Sequence, residues 1–157
     1  MNMPFWRLYY HLIWTTKYRE PLIDAGLEMR LFPYLRKKAG ELGCQVFVVN
    51  GWVDHIHMVV TIPPSRSVAE VVKRLKGASS HEFMELTWQR GYGALSVGER
   101  HLAIAMAYVE KQKEHHQKST TNTWLEKMDA ESEQDSPPDL QIRETGVGYG
   151  VWDEILF

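Results

Sequence analysis

The segment from residue 45 to residue 62 constrains the fold of this chain more than any other. It is rich in Val, Phe, Trp and Ile, it is interrupted by Asn50-Gly51, and Pro63-Pro64 closes it. Asn-Gly is a dipeptide that favours tight turns between strands. We therefore predict a β hairpin in this segment, with Asn50-Gly51 at its turn.

The flanking segments predict a strand and a helix before the hairpin. Residues 5–18 are rich in aromatic and β-branched residues, which is typical of a strand. Residues 24–42 carry leucines at helical spacing, with Asp24 as the N-cap and Gly43 at the end. Pro33 lies inside this helix, and we expect it to kink or break the helix.

After the hairpin the pattern repeats. Ser67 and Glu70 form a capping-box pattern that opens a second helix, and a short fourth strand is predicted over residues 92–97. A further helix begins near Glu99, because residues 102–116 contain no Gly or Pro. The order is βαββαβ plus a helix. We therefore predict an α+β fold, a ferredoxin-like or RRM-like antiparallel sheet with helices on one face and an additional C-terminal helix.

The predicted hairpin carries the sequence His55-Ile56-His57. Successive side chains of a strand point to opposite faces, so both histidines project from one face and Ile56 enters the core behind them. Tyr108 and Gln112 are four residues apart in the last predicted helix, so they share a helical face. Two imidazoles and an amide oxygen suit a hard or borderline divalent ion that keeps positions open for substrate oxygens.

Tyr108 adds a nucleophile to this set. A phenol has an ordinary pKa of about 10, so it is a weak nucleophile at neutral pH unless a metal, a neighbour or the substrate assists it. Its attack on a phosphodiester yields a phosphotyrosine ester, which conserves the bond for later strand joining. Either motif alone is common in strands and helices without any function, so the assignment depends on the two occurring together.

Five stretches of the chain resemble, in family order, the HUH single-tyrosine transposases of insertion sequences and their domesticated relatives associated with repeated palindromes. The stretches are residues 11–19, 53–60, 67–80, 88–96 and 108–112, the last followed by His115 and His116. Together they span roughly residues 7 to 118. An ordered set of this kind is far more specific than His-x-His alone.

This resemblance implies that His55, His57 and Gln112 are metal ligands for Mg²⁺ or Mn²⁺ and that Tyr108 is the catalytic nucleophile. It implies a transposase that cleaves and rejoins single-stranded DNA through a 5′-phosphotyrosine intermediate. Its substrate would contain a hairpin near the cleavage site. It also implies a homodimer, in which the tyrosine helix of one subunit can complete the metal site of the other.

The net charge of −2 is unevenly distributed. Residues 1–123 contain 16 Lys and Arg against 11 Asp and Glu, a net +5, whereas residues 124–157 contain 2 against 9, a net −7. A basic body permits a DNA-binding surface, although +5 is also an ordinary surface charge. We predict one transposase domain over residues 1–123 and an acidic, flexible extension over residues 124–157.

Several basic and aromatic residues are candidates for DNA contacts. Lysine and arginine neutralise phosphate charge, and aromatic rings stack on unpaired bases. Each residue is equally compatible with a solvated or structural role. The candidates are Lys17, Arg19, Lys73, Arg74, Lys76, Arg90 and Tyr92. His115 and His116, one turn beyond Gln112, are candidates for proton transfer or phosphate binding, or are titrating surface residues. His11 borders the site or packs in the core.

Two other functions remain open at this point. One is a domesticated regulator that binds hairpin DNA without cleaving it, and the other is a metal phosphodiesterase that uses water as its nucleophile. The single cysteine, Cys44, excludes an internal disulfide framework. No apolar run approaches the length of a membrane span and the N-terminus lacks a signal-peptide pattern, so we expect a cytoplasmic protein without membrane partners.

Overall fold

The computed structural model describes residues 4–119 of the chain. The predicted acidic extension, residues 124–157, lies outside the described residues. Within residues 4–119 no helix is both long enough and apolar enough to cross a membrane.

The predicted order βαββαβ is confirmed, and further helical segments follow it. The strands are β1 (Tyr9–Thr15), β2 (Val46–Trp52), β3 (His55–Thr61) and β4 (Gly93–Val97), and the α-helices are α1 (Ala25–Glu41), α2 (Val68–Glu82), α3 (Leu102–Glu110) and α4 (Gln112–Gln117). The sheet has the order β2-β3-β1-β4, and every pair is antiparallel. This is the ferredoxin-like arrangement, so the predicted fold class is correct.

Helix α1 begins as predicted but is not broken by its proline. The Asp24 carboxylate accepts a hydrogen bond from the Leu27 backbone N–H at 2.7 Å, which caps the first turn. Pro33 lies inside the helix. Its missing N–H would have bonded the carbonyl of Met29, which is an exposed residue. The helix continues through Pro33, so of the predicted kink or break the break does not occur.

The predicted hairpin is present, but its turn is not at Asn50-Gly51. Both residues lie in β2, and the chain reverses at Val53 and Asp54. Asn50 pairs with His57 across the hairpin, and Gly51 pairs with Ile56. A Cβ on Gly51 would lie 2.1 Å from the carbonyl oxygen of His55, so this position requires glycine because the two strands approach closely there. Asn50-Gly51, which predicted a turn, instead lies where β2 and β3 approach closely.

The first strand is shorter than predicted. It ends at Thr15, and a 3₁₀ turn follows over Lys17–Arg19. Tyr18 and Arg19 have φ values of 56° and 53°, a left-handed conformation that non-glycine residues rarely adopt. Two such residues in succession prevent the strand from continuing.

The last predicted helix is divided in two. Helix α3 ends at Glu110, α4 begins at Gln112, and Lys111 between them has φ −94° and ψ 17°. Hydrogen bonds of the helical type join Lys111 to both segments, from Lys111 N–H to the Ala107 carbonyl of α3 and from His115 N–H of α4 to the Lys111 carbonyl. Tyr108 and Gln112 therefore remain neighbours although they belong to different helices.

The two faces of the sheet carry different layers. One face packs against α1 and α2 in the main core, which includes Leu12, Trp14, Ile56 and Met58. On the opposite face α3 packs in a smaller apolar cluster of Val48, Val59, Val97, Ala105 and Val109. The histidine pair projects from this second face, because His55 and His57 alternate with Ile56 along β3. The smaller cluster thus seats α3 beside the histidines.

Candidate active site

His55 and His57 are held in β3, in the interior of the sheet. His55 pairs with Thr15 of β1 and Trp52 of β2, and His57 pairs with Ile13 and Asn50. Both imidazoles are buried, and their ring centroids are 5.0 Å apart. A strand with partners on both sides fixes the backbone of both residues, so the separation of the rings is set by the sheet.

Asp54 orients the ring of His55. The Asp54 carboxylate lies 2.6 Å from His55 Nδ1, so that nitrogen donates its proton to Asp54, and in the neutral ring the lone pair is then on Nε2. Burial opposes ionisation of Asp54, but the hydrogen bond and charge of His55, with the charges of Arg19 and His116, outweigh it and lower the Asp54 pKa below its ordinary value. Carboxylates commonly orient metal-binding histidines in this way.

His11 has the corresponding position at His57. Its Nε2 atom lies 2.7 Å from His57 Nδ1, and the two rings are stacked with centroids 5.0 Å apart. A proton on His57 Nδ1 that bonds to His11 would leave the lone pair of His57 on Nε2. The Nδ1 atom of each histidine thus contacts a neighbouring side chain: Asp54 at His55, and His11 of β1 at His57.

Helix α4 brings an amide and an imidazole to His55. Gln112 is fully buried, and its Oε1 atom lies 3.4 Å from His55 Nε2. His116, one turn later, places its Nε2 atom 3.0 Å from the same nitrogen and stacks on Trp52 with an interplanar angle of 9°. Two side chains of α4 therefore converge on the Nε2 atom of His55.

Tyr108 lies beside the histidine pair at the end of α3. Its ring centroid is 6.0 Å from that of His57 and 6.4 Å from that of His11. The His115 ring of α4 stacks on the phenol with a centroid distance of 4.6 Å. The structure thus brings together Tyr108, Gln112 and the histidine pair, which were selected from the sequence.

The donor atoms at this site fit a divalent ion only if Gln112 takes part. Within residues 4–119 no group of three His, Cys, Asp or Glu side chains is placed to hold a metal ion. With the histidine pair, the Gln112 oxygen would be the third donor. Two ligands about 2.1 Å from one ion and at right angles are about 3.0 Å apart, close to the 3.4 Å between His55 Nε2 and Gln112 Oε1.

Three of the candidate DNA contacts meet where β1 ends. The loop between α2 and β4 runs beside the 3₁₀ turn, because Lys17 N–H donates to the Thr87 carbonyl and Tyr18 N–H to the Gln89 side chain. Lys17, Arg19 and the exposed Arg90 lie in these two segments. Arg19 also approaches the Asp54 carboxylate at 3.5 Å, which links this basic region to His55. Tyr92 is half-buried against the main core.

The basic residues of α2 lie on the other side of the sheet. Helix α2 packs on the face opposite the histidines, and its exposed Lys73 and Arg74 line a cleft of about 580 Å³ against α1 that also contains Glu41 and Glu70. Lys76 donates to the carbonyls of Gln89 and Gly91 at 2.6 and 2.8 Å, and burial lowers its pKa. The structure therefore does not bring these three residues to the histidine site.

Three further residues of the site have weaker sequence signals. His11 and His116 are ordinary single histidines by spacing, and Asp54 precedes the pair in the turn. The β1 register places His11 on the same face as His57, two residues along the strand from Ile13. The strand pairing and the docking of α4 place these residues at the site, and both depend on contacts between distant parts of the chain.

Comparison with known proteins identifies relatives of this chain. The family model described as "Transposase IS200 like" matches residues 4–112. The ISDra2 transposase TnpA of Deinococcus radiodurans is 29% identical over 119 residues, which cover 68% of this chain and 85% of that protein. The transposase for insertion sequence element IS200 of Salmonella typhimurium is 30% identical over 121 residues, covering 69% of this chain and 79% of that protein.

Two solved structures have the same fold. A crystal structure of a protein from Deinococcus radiodurans R1 described as a transposase has a TM-score of 0.56 and 26% identity, covering 71% of this chain and 96% of that one. A REP-associated tyrosine transposase bound to a REP hairpin has a TM-score of 0.55 and 14% identity, covering 73% and 74%, and this second likeness concerns the fold alone. The family match extends over most of the chain and includes every residue of the candidate site from His11 to Gln112. The chain therefore belongs to the IS200-like family of single-tyrosine HUH transposases.

Proposed function

We propose that this transposase cleaves and rejoins single-stranded DNA with Tyr108 as the nucleophile and with a divalent ion held by His55, His57 and Gln112. The observation that carries the proposal is the convergence of the two α4 side chains on His55 Nε2, with the Tyr108 ring 6.0 Å from His57. A tyrosine, a buried imidazole pair and a buried amide at one position have no evident purpose in a structural core.

The proposed reaction exchanges one ester for another. The phenolic oxygen of Tyr108 attacks a DNA phosphorus, the bond from phosphorus to the 3′-oxygen breaks, and a 5′-phosphotyrosine link and a free 3′-hydroxyl result. The phenol loses its proton and the departing oxygen gains one. In the joining step a 3′-hydroxyl attacks the same phosphorus and releases the phenol. The stacked ring of His115 limits the rotation of Tyr108 and so orients the phenol.

The buried residues around the pair prepare it to bind an ion. Asp54 and His11 engage the Nδ1 atoms of the two histidines, which directs their Nε2 lone pairs away from the strand. A bound Mg²⁺ or Mn²⁺ would act as a Lewis acid that polarises the phosphate. The ligand set suits either ion, because it combines imidazole nitrogens with a neutral oxygen.

The substrate in this proposal is a DNA hairpin with a single-stranded cleavage site. The similar fold of the REP-associated transposase, which is described as bound to a REP hairpin, supports this class of substrate. The basic region of Lys17, Arg19 and Arg90 is the best candidate to bind the strand beside the site, since Arg19 reaches Asp54. Lys73, Arg74 and Lys76 would need a DNA path that passes around the sheet.

The proposed homodimer allows two arrangements of the site. Helix α4 lies against its own β2 in the single chain, so Gln112 and His116 meet the His55 of the same subunit. Alternatively, the helix of one subunit completes the site of its partner. Mixing Tyr108→Phe with His55→Ala distinguishes the two, because only the composite arrangement regenerates one intact site from two inactive proteins. We expect no recovery of activity, and recovery would establish the composite arrangement.

A labelled-DNA assay tests the proposed function. Single-stranded oligonucleotides that tile the DNA on both sides of the gene are incubated with protein, with or without Mg²⁺ or Mn²⁺, and run on a denaturing gel. We expect a metal-dependent shift of label to the size of the protein, and none with Tyr108→Phe. Hairpin binding without cleavage by wild type would favour the regulator, and turnover that survives Tyr108→Phe would favour the water-dependent phosphodiesterase.

A further inference from the structure

The side chain of Asn50 connects the edge strand β2 to both C-terminal helices. Its Nδ2 atom donates to the carbonyl of Glu110, the last residue of α3, at 3.0 Å. Its Oδ1 atom accepts from Lys113 of α4 at 2.9 Å. The carbonyls at a helix end are those that lack partners within the helix, so the amide satisfies a group at the point where the helix is interrupted.

Lys113 extends these contacts to the opposite layer of the protein. Its ammonium group donates to Asn50, to the Gly51 carbonyl at 2.7 Å and to the Glu28 carboxylate of α1 at 2.5 Å. These three acceptors match the three protons of the group. The nitrogen also lies 5.8 Å from the ring centroid of Phe32. Lys113 thus passes around the edge of the sheet and joins the helix layers on its two faces.

We propose that Asn50 and Lys113 form a clamp that positions Gln112 against His55. The inference rests on the proposed metal site. Gln112 precedes Lys113 directly, and Tyr108 lies two residues before the Glu110 carbonyl that Asn50 holds. The clamp therefore grips the helix junction between the proposed nucleophile and the proposed third ligand. Asn50 and Lys113 are positioning residues, because their bonds fix the helix ends and reach neither Tyr108 nor His55.

The clamp lies where the helix is interrupted at Lys111. Helix α3 is seated by the apolar contacts of Ala105 and Val109, whereas α4 is placed by Gln112, His116 and Lys113, which are all polar. An amide that binds the carbonyl end of α3 and a lysine at the start of α4 hold the two segments in one register. Without them α4 would depend on contacts at the site itself.

Mn²⁺ binding to the full chain, measured by electron paramagnetic resonance without DNA, tests the clamp. Lys113→Met keeps the apolar stem but removes all three hydrogen bonds. Asn50→Leu keeps the side-chain volume but removes the amide bonds to Glu110 and Lys113, together with the local bond from the Gly51 backbone N–H. We expect each variant to weaken Mn²⁺ binding about 10-fold, the lower end of the range for residues that bond a metal ligand directly, because the clamp acts on Gln112 only through the backbone. The double variant should be no weaker than the worse single one, because the two residues act as a unit.

Lys118→Met is the matched control. Lys118 lies at the end of the same helix and pairs with Glu114 on the surface, so its loss should leave Mn²⁺ affinity unchanged. His55→Ala should abolish binding and thereby locate the ion. Circular dichroism at the assay temperature verifies that each variant is folded, and if Lys113→Met is not, Asn50→Ala replaces it.

The possible results are distinct. Wild-type affinity in folded Asn50→Leu and Lys113→Met would overturn the clamp and leave the proposed function intact. If wild type binds no Mn²⁺, or if wild type and His55→Ala bind Mn²⁺ with equal affinity, the proposed metal site and the clamp are both overturned.

Discussion

The side-chain oxygen of Gln112 lies 3.4 Å from the Nε2 atom of His55, although 57 positions separate the two residues in the chain. The contact depends on α4 lying beside the strand that carries the histidines. Burying the Gln112 amide reduces the free energy of unfolding unless the amide has polar partners, and His55 is one of these partners. The stability of α4 and the composition of the proposed metal site are therefore coupled.

Removing the Gln112 amide should weaken metal binding. Gln112→Leu has a similar volume and lacks the oxygen, so we expect Mn²⁺ affinity to fall by at least the 10- to 100-fold typical of lost outer partners. Isothermal titration calorimetry measures the change. Gln117→Leu, at an exposed position of the same helix, is the control and should bind like wild type. Equal affinities for the two variants would contradict the assignment of Gln112.

The carboxylate of Asp54 should matter through the ring that it orients. Asp54→Ala leaves His55 Nδ1 without this acceptor, so we expect the rate of adduct formation to fall about 10- to 100-fold. Asp54→Asn retains an oxygen that accepts the same hydrogen bond and should lose less. The order wild type, Asp54→Asn, Asp54→Ala in single-turnover rates tests this, and equal rates for all three would show that the contact has no role.

The ionised Asp54 carboxylate should also make the free energy of unfolding depend on pH. The Asp54 pKa is lower in the folded protein, so the unfolded chain binds its proton first as the pH falls. The stability that the charged carboxylate contributes is present above its unfolded pKa, about 3.9, and is lost as the pH falls through the folded value. Urea unfolding between pH 6 and pH 3 should therefore show a smaller loss of stability in Asp54→Asn than in wild type. A parallel loss would contradict the coupling.

Gly51 should tolerate no side chain. A Cβ there would meet the backbone oxygen of His55 at 2.1 Å, and a backbone atom in a paired strand cannot move aside cheaply. We expect Gly51→Ala to reduce the free energy of unfolding by about 1–3 kcal/mol or more, as overpacking does. Gly77→Ala has open space in α2 and should instead raise it by about 0.5–1 kcal/mol, because glycine is unfavourable inside a helix. The urea unfolding midpoints of Gly51→Ala and Gly77→Ala measure the difference, and similar midpoints for the two variants would contradict the close approach of β2 and β3 at Gly51.

Lys76 should stabilise the fold, whereas Lys73 should not. Lys76 donates to two loop carbonyls, and loss of hydrogen bonds from a charged group costs about 1–3 kcal/mol. We therefore expect Lys76→Met to lower the unfolding free energy by that amount. Lys73→Met removes an exposed charge and should change it by less than about 0.5 kcal/mol. Thermal unfolding of both variants measures the difference, and equal stabilities would show that the Lys76 contacts contribute little.

The sequence predicted most of the fold because the local signals agreed with the final topology. The Asp24 and Ser67 caps, the alternation of His55 with Ile56 and the order of the elements all follow from residues close together in the chain. The errors arose where contacts between distant residues decide the structure. Asn50-Gly51 has the composition of a turn, but the approach of β3 to Gly51 and the bonds of Asn50 to α3 and α4 place it in a strand.

The same distinction applies to the site. The pair His55 and His57 follows from period-two alternation, and the spacing of Tyr108 and Gln112 follows from helical geometry. That these two pairs meet depends on α3 and α4 packing on the face of the sheet that α1 and α2 leave open, which local periodicity does not specify. The positions of His11 and Asp54 beside the histidine pair depend on the strand register and on the hairpin turn. The turn at Val53 and Asp54 contains neither Gly nor Asn, so the sequence did not indicate it.

The measurement that tests the central claim most directly is mass spectrometry of the DNA-linked protein. Wild type is incubated with Mn²⁺ and the flanking single-stranded DNA that it cleaves, the DNA is trimmed with nuclease, and the protein is digested with protease. We predict a nucleotide phosphate on the peptide that contains Tyr108, and the fragment spectrum should assign it to that phenol. A nucleotide on another residue, or cleaved DNA with no adduct on any peptide, would contradict the assignment of Tyr108 as the nucleophile.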